Sequence, residues 1–284
     1  MDHYECHCHI ALDGDDFKNV SQKHKNGADE TLIRKNLEEY KKRGVKYIRD
    51  GGDKWGASRL AKSIACEYGI EYKTPVFPIF RRKNYGGFIG VSYETVSDFY
   101  ALVKRAKKEG ADFIKLMASG IMDFSNPGEL TGFGIGKELP EIVKICHGEG
   151  FAVMVHVNGA DTVKAAVSAQ ADSIEHGNYL DDAAIADIAS SDAVWVPTVT
   201  ATANLIGSGL FPDSALKSIL AVQLENIKKA SARGADIALG SDAGAKCVLH
   251  GQGIFDEAGI LESIVGKERI ITSQEKLRNI FQAV

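Results

Sequence analysis

One pattern constrains this chain more than any other: a short apolar or β-branched run, a polar loop and a longer stretch with helical spacing follow one another eight times. The spacing predicts strands at 4–11, 47–51, 72–80, 112–118, 151–157, 173–176, 194–199 and 236–241. It predicts helices at 29–43, 57–69, 93–109, 137–149, 160–170, 181–190, 213–233 and 254–266. Gly44, Gly69, Gly110, Gly150 and Gly234 stand where left-handed caps would end helices just before the next strand. Strands alternating with helices of this length pair in parallel through right-handed crossovers, as an open doubly wound sheet or a closed (β/α)8 barrel. Eight repeats in 284 residues fit the barrel. No linker-like stretch divides the chain, so residues 1–284 are read as one α/β domain, with an extra closing helix at about 273–284.

The barrel reading directs attention to the loops after the strands, which form the functional face of such a fold. They are long at 12–28, 81–92, 119–136, 200–212 and 243–253. Composition excludes several other roles. With 44% hydrophobic and 25% charged residues the chain is globular rather than disordered. Its 34 basic against 38 acidic side chains, with Arg81-Arg82-Lys83 the one short basic run of note, argue against nucleic acid. No apolar run approaches a membrane span, and the first residues do not resemble a signal peptide, so a cytoplasmic protein is expected. Five scattered cysteines fit free thiols in a reducing compartment.

Certain polar residues then stand out, each near the C-terminal end of an apolar run: His7 and His9 in strand one, Lys115 in strand four, His156 in strand five, His176 ending strand six, and Asp242 just past strand eight. Alternation puts His7 and His9 on one face, where two imidazoles can chelate one ion, and Cys6 and Cys8 on the other. Lys115 lies in a strand buried on both faces, so its amine must lose a proton, find an anion such as Asp242 or Asp112, or be modified. Taken singly, His156 and His176 could be ordinary core histidines and Asp242 a turn cap. Glu175, by the same alternation, should face the helices. His147 and His24 read as exposed and inert.

The combined order resembles the metal-dependent amidohydrolase superfamily, in its binuclear, carboxylated-lysine form. The strings Phe113-Ile114-Lys115-Leu116-Met117-Ala118-Ser119-Gly120, Ser173-Ile174-Glu175-His176-Gly177 and Gly240-Ser241-Asp242-Ala243-Gly244 are similar to its imidazolonepropionase-like and prolidase-like branch, across residues 5–264. That branch usually flanks the barrel with a β-sandwich built from both termini; with His7 seven residues from the start and the last residues soon after helix eight, a barrel without that sandwich is the expectation here. The resemblance implies His7, His9 and Asp242 on one ion, His156 and His176 on a second, and a carbamate on Lys115 bridging them. Nitrogen and oxygen ligands suit Zn²⁺, with Mn²⁺, Fe²⁺ or Co²⁺ as alternatives.

It further implies hydrolysis of a C–N amide bond in a small molecule (a dipeptide, an N-acyl amino acid or a cyclic amide) by a hydroxide bridging the metals, with Asp242 moving the proton. A lactonase or phosphoesterase using the same site, or a metal-binding barrel without turnover, are the other readings. Arg81, as a fork for a substrate carboxylate, and Tyr85 and His250 are the expected substrate contacts. The expected partner is a small-molecule substrate, with no nucleic acid and no membrane, and a homo-oligomer is compatible with the sequence.

Overall fold

The computed structural model describes residues 3–282. Its nine strands are β1 (His3–Cys8), β2 (Val45–Asp50), β3 (Glu71–Lys73), β4 (Pro78–Arg81), β5 (Val91–Tyr93), β6 (Ile114–Met117), β7 (Val153–Val157), β8 (Ser173–His176) and β9 (Val194–Val196). Eleven helices accompany them: α1 (Phe17–Lys23), α2 (Glu30–Lys42), α3 (Ala57–Ile64), α4 (Val96–Lys108), α5 (Leu139–Gly148), α6 (Ala160–Ser168), α7 (Asp182–Ala189), α8 (Thr200–Ala203), α9 (Asp213–Ala232), α10 (Gly253–Val265) and α11 (Lys267–Ile280). Every strand pairing is parallel, in the orders β1-β2-β3 and β5-β4-β6-β7-β8-β9.

Continuous chain joins the two sheets between β3 and β4. The strand expected over 72–80 is broken there, because Pro75 and Pro78 cannot donate to a ladder and Val76 takes a left-handed φ of 67°. The other junction is the segment expected as strand eight. It forms no regular strand, yet it is bonded on both sides: Ala238 N donates to Trp195 O (3.0 Å), Cys6 N to Leu239 O (3.1 Å) and Asp242 N to His7 O (2.8 Å). The sequence of strands is therefore that of a (β/α)8 barrel.

Several boundaries differ from expectation. Strand β5 falls at the junction of an expected loop and helix, and α4 starts only at Val96, where Thr95 and Asp98 form a capping box. Helices α1 and α8 occupy expected loops, and α3 ends in a 3₁₀ turn over Ala65–Tyr68. The closing helix begins at Lys267, not 273; residues 283 and 284 lie outside the described residues. No helix among the described residues is long and apolar enough to cross a membrane.

The main apolar core lies between the strands and the surrounding helices. A second cluster, including Cys6, Phe113, Met154 and Val196, is covered by Leu277 and Phe281 at the end of α11. Cys6 thus packs apart from Cys8, which belongs to the main core. The face-sharing expected of the two fails because the β1–β2 register shifts between Glu5 and Cys8.

Candidate metal centre

The C-terminal ends of the strands bring the six singled-out residues together. His7 and Lys115 lie on β1 and β6, His156 on β7 and His176 at the end of β8; His9 follows just after β1 rather than within it. The rings of His156 and His176 lie 4.5 Å apart, those of His7 and His176 4.9 Å, and those of His7 and His9 5.5 Å. Asp242 Oδ1 is 3.6 Å from His7 Nε2 and 3.5 Å from His9 Nε2. Ligand atoms of His7, His176 and Asp242 all lie within 4.8 Å of one another. This group joins two histidines expected on different ions.

Backbone geometry aims two of these side chains. His176 and Asp242 have φ of 67° and 59°, in the left-handed region that few residues other than glycine enter. Close packing sets the imidazoles of strand one. A Cβ on Gly51 would come within 2.3 Å of the His9 ring, and one on Gly240 within 2.7 Å of His7 Cβ, so neither position accepts a side chain without displacing a histidine.

Beneath the cluster lies a polar network absent from the sequence reading. Glu175 faces inward: one oxygen accepts from His7 Nδ1 (2.6 Å), the other from Arg49 Nη2 (2.8 Å) and Ser173 Oγ (2.5 Å). The expectation that it faces the helices assumed unbroken alternation into His176, which the left-handed φ of His176 interrupts. Arg49 is fully buried, donates to Cys6 O (2.7 Å) and Ser173 Oγ (2.7 Å), and stacks over Phe281. Because Nδ1 of His7 donates to a carboxylate, its Nε2 keeps a free lone pair, the tautomer a metal ligand requires. Thr198 Oγ1 lies 2.7 Å from His176 Nδ1, and Gly120 O accepts from His156 Nε2 (3.2 Å), leaving one nitrogen of each ring available. Glu5 accepts from the backbone and hydroxyl of Ser241 and so secures the segment carrying Asp242.

Burial sets the electrostatics. It holds all four histidines well below the usual imidazole range, His9 and His156 down to about 3, so they are neutral donors of lone pairs at neutral pH. It lowers the Lys115 ammonium and raises the Asp242 carboxyl. Burial likewise lifts Glu5 to about 8 and Glu257 to about 7. Among the described residues, buried His7 Nε2, His9 Nδ1 and Lys115 Nζ find no hydrogen-bond partner. Asp112 pairs with Lys62 and Lys73 instead of Lys115. Buried nitrogens without a partner, in a cluster where Asp242 Oδ1 also approaches the Nε2 atoms of His7 and His9, are a donor set a divalent cation fits, since a buried polar group is otherwise satisfied.

The expected substrate contacts divide. Tyr85 lines the cavity above the cluster and stacks on His156, with ring centroids 5.2 Å apart. Arg81 does not reach it: its guanidinium is held by Glu138 (3.1 Å) and the Glu94 carbonyl. His250 is buried, with Nδ1 at 3.1 Å from Tyr40 Oη and Nε2 at 2.8 Å from Leu12 O. Both expectations are corrected, because the groups that would bind substrate already serve the protein. His24 is also buried, bonded to Ala11 O and Asp29 N and stacked on Trp55, rather than exposed. His147 is partly exposed and paired with Asp172.

Comparison with known proteins adds independent information. A family profile described as "Amidohydrolase family" matches residues 6–263. An uncharacterized protein of Mycobacterium tuberculosis is 28% identical over 65% of this chain and 50% of its own length. Ochratoxinase from Aspergillus niger is 26% identical over 92% of this chain and 62% of its own. The chain thus spans about half to three-fifths of the length of these curated relatives. Among solved structures, a Xaa-Pro dipeptidase with bound methionine in its active site superposes with a TM-score of 0.77 at 20% identity, over 99% of this chain and 76% of that one. The A. niger ochratoxinase structure gives 0.76 at 20%, over 98% and 70%.

Proposed function

Because this chain belongs to the amidohydrolase family, we propose that it is a metal-dependent hydrolase that cleaves a C–N amide bond of a small molecule. The observation that carries the reading is the convergence of His7, His9, His156, His176, Lys115 and Asp242 with three of their buried nitrogens unpartnered. Relatives named for a dipeptidase and an ochratoxinase support the amide as the bond cleaved.

In this reading the four histidines, Asp242 and a carbamate, formed by CO₂ addition to the neutral Lys115 amine with loss of a proton, would hold two divalent ions, zinc being the best match to the donors. When bound, such ions act as Lewis acids toward a carbonyl and bring the ionisation of water toward neutral pH. Glu175 fixes the tautomer and direction of His7, and Thr198 does the same for His176. Asp242, at the cavity floor with its carboxyl pushed up by burial, would take a proton at Oδ from the attacking water and return it to the leaving nitrogen. The buried floor keeps bulk water from competing with these contacts.

Chelation tests this directly. Hydrolysis of a panel of N-acyl amides should disappear on dialysis against a chelator and return with Zn²⁺ or Mn²⁺. Amide hydrolysis indifferent to chelation, or metal-loaded protein inert on the whole panel, would overturn the reading.

A further inference from the structure

The cavity above the cluster encloses about 640 Å³, and its chemistry changes sharply from floor to mouth. Its floor holds His9, Lys115, His156, His176 and Asp242; its walls are mostly hydrocarbon. One aromatic chain climbs from the floor: Tyr85 stacks on His156, Phe88 packs on Tyr85 (5.3 Å), and Phe17 packs on Phe88 (5.7 Å). A second pair, Phe124 and Phe211 (5.3 Å), comes from the loops after β6 and β9. Phe17 and Leu210 both line the cavity while remaining 42% and 49% exposed, which leaves apolar surface at the entrance.

Apart from the Tyr85 hydroxyl, the polar groups on the walls are already engaged. Asn158 donates to Gly120 O (2.9 Å), and its Oδ1 accepts both amide groups of Asn178 (3.0 and 2.9 Å). Asn178 Oδ1 in turn accepts from Gln223 (2.7 Å). Lys246, the one lining cation other than Lys115, is bound by the carboxylate and carbonyl of Asp15 (2.8 Å each). Arg81 and its neighbour Arg82 are paired with Glu138 and Glu94. No free cation among the described lining residues awaits a substrate carboxylate away from the floor. A carboxylate entering these walls would lose its water without gaining a cationic partner.

We propose that the substrate is an uncharged amide with a large aromatic group beyond the scissile bond, and that amides bearing a free carboxylate next to that bond are disfavoured. This rests on the amide reading above and narrows it. The two aromatic arrays provide ring faces against which such a group packs. Phe124 and Phe211 are specificity determinants, since they join two separate loops over the cavity.

A matched pair isolates the charge: N-acetyl-phenylalanine amide and N-acetyl-phenylalanine differ only at the carboxyl end. With metal-loaded enzyme the uncharged compound should have at least ~10-fold higher kcat/KM. Phe124→Ala and Phe211→Ala should each lower the preference for N-acetyl-phenylalanine amide over N-acetyl-glycine amide by about 10-fold. Equal or reversed preference within the matched pair, or an unchanged preference in both variants, would overturn the inference. Binding separates this from failure of the amide reading. Calorimetry on metal-loaded Asp242→Asn should show N-acetyl-phenylalanine amide binding at least ~10-fold tighter than N-acetyl-phenylalanine. That result with no turnover of any amide would sink the amide reading and retain the preference for an uncharged aromatic ligand; tighter binding of the acid would sink the preference itself.

Discussion

The floor of the cavity and its mouth follow opposite rules. At the floor, charged and polar side chains are buried and tied into one another: Arg49 to Glu175, Glu175 to His7, and Glu5 to Ser241 beside Asp242. At the mouth, Phe17 and Leu210 are half exposed, and the exposed lining residue Lys246 is bonded to Asp15. The contrast separates two tasks. Ligand direction must be held to a fraction of an ångström, which requires partners on every side. Accommodation of an apolar group asks only for shape and hydrocarbon, so the loops can carry it.

The strongest break in that division is at the floor. Asp242→Asn should leave the fold intact and lower turnover on any amide substrate by about 100-fold or more, the scale of general acid/base catalysis; a kcat measurement within threefold of wild type would move the proton transfer elsewhere. Next is Arg49→Met, which strands the buried Glu175 carboxyl. Urea unfolding should show a loss of roughly 3–5 kcal/mol, the usual cost of removing one partner of a buried pair, and a stability equal to wild type would mean that the network is not required. Leu210→Ser supplies the opposite pole: at the exposed rim it should change stability by no more than ~0.5 kcal/mol in the same assay, and a loss as large as that of Arg49→Met would erase the contrast.

A smaller effect concerns pH. Glu257 is fully buried, accepts from Val199 N and Thr200 N (3.1 and 2.9 Å), and is raised by that burial from 4.5 to about 7. Below the lower value folded and unfolded chains both hold the proton. Between the two values only the folded chain keeps it, so stability from this group falls as pH rises through that window. Glu257→Gln cannot ionise. In chelated protein its Tm relative to wild type should therefore climb between about pH 5 and about pH 7.5, whereas a constant difference would refute the assignment.

How much of this was legible beforehand follows from what each residue's neighbours reveal. His7, Lys115 and Asp242 were visible because a polar residue at the end of an apolar run has few structural excuses. Arg49 met the same criterion, standing as a charge within the strand at 47–51, and the rule that flagged Lys115 would have flagged it too. Glu175 could not be read, because its facing depends on a left-handed residue that no periodicity announces. The break at Pro75 and Pro78 was written in the sequence; the irregular pairing of residues 236–243 was not, since it depends on partners from both ends of the chain. Arg81 and His250 were misplaced for a related reason: sequence gave their chemistry but not Glu138, Tyr40 and Leu12, which claim it. The aromatic mouth is assembled from four loops and has no local signature at all.

Counting metal ions in wild-type protein and in Lys115→Ala, alongside amide hydrolysis, tests the central claim most directly. The account predicts about two ions per wild-type chain, a clear loss of metal in the variant, and activity at background with partial recovery when a small carboxylic acid is added. Full metal content and full activity in Lys115→Ala, or wild-type protein that takes up no divalent ion, would contradict it.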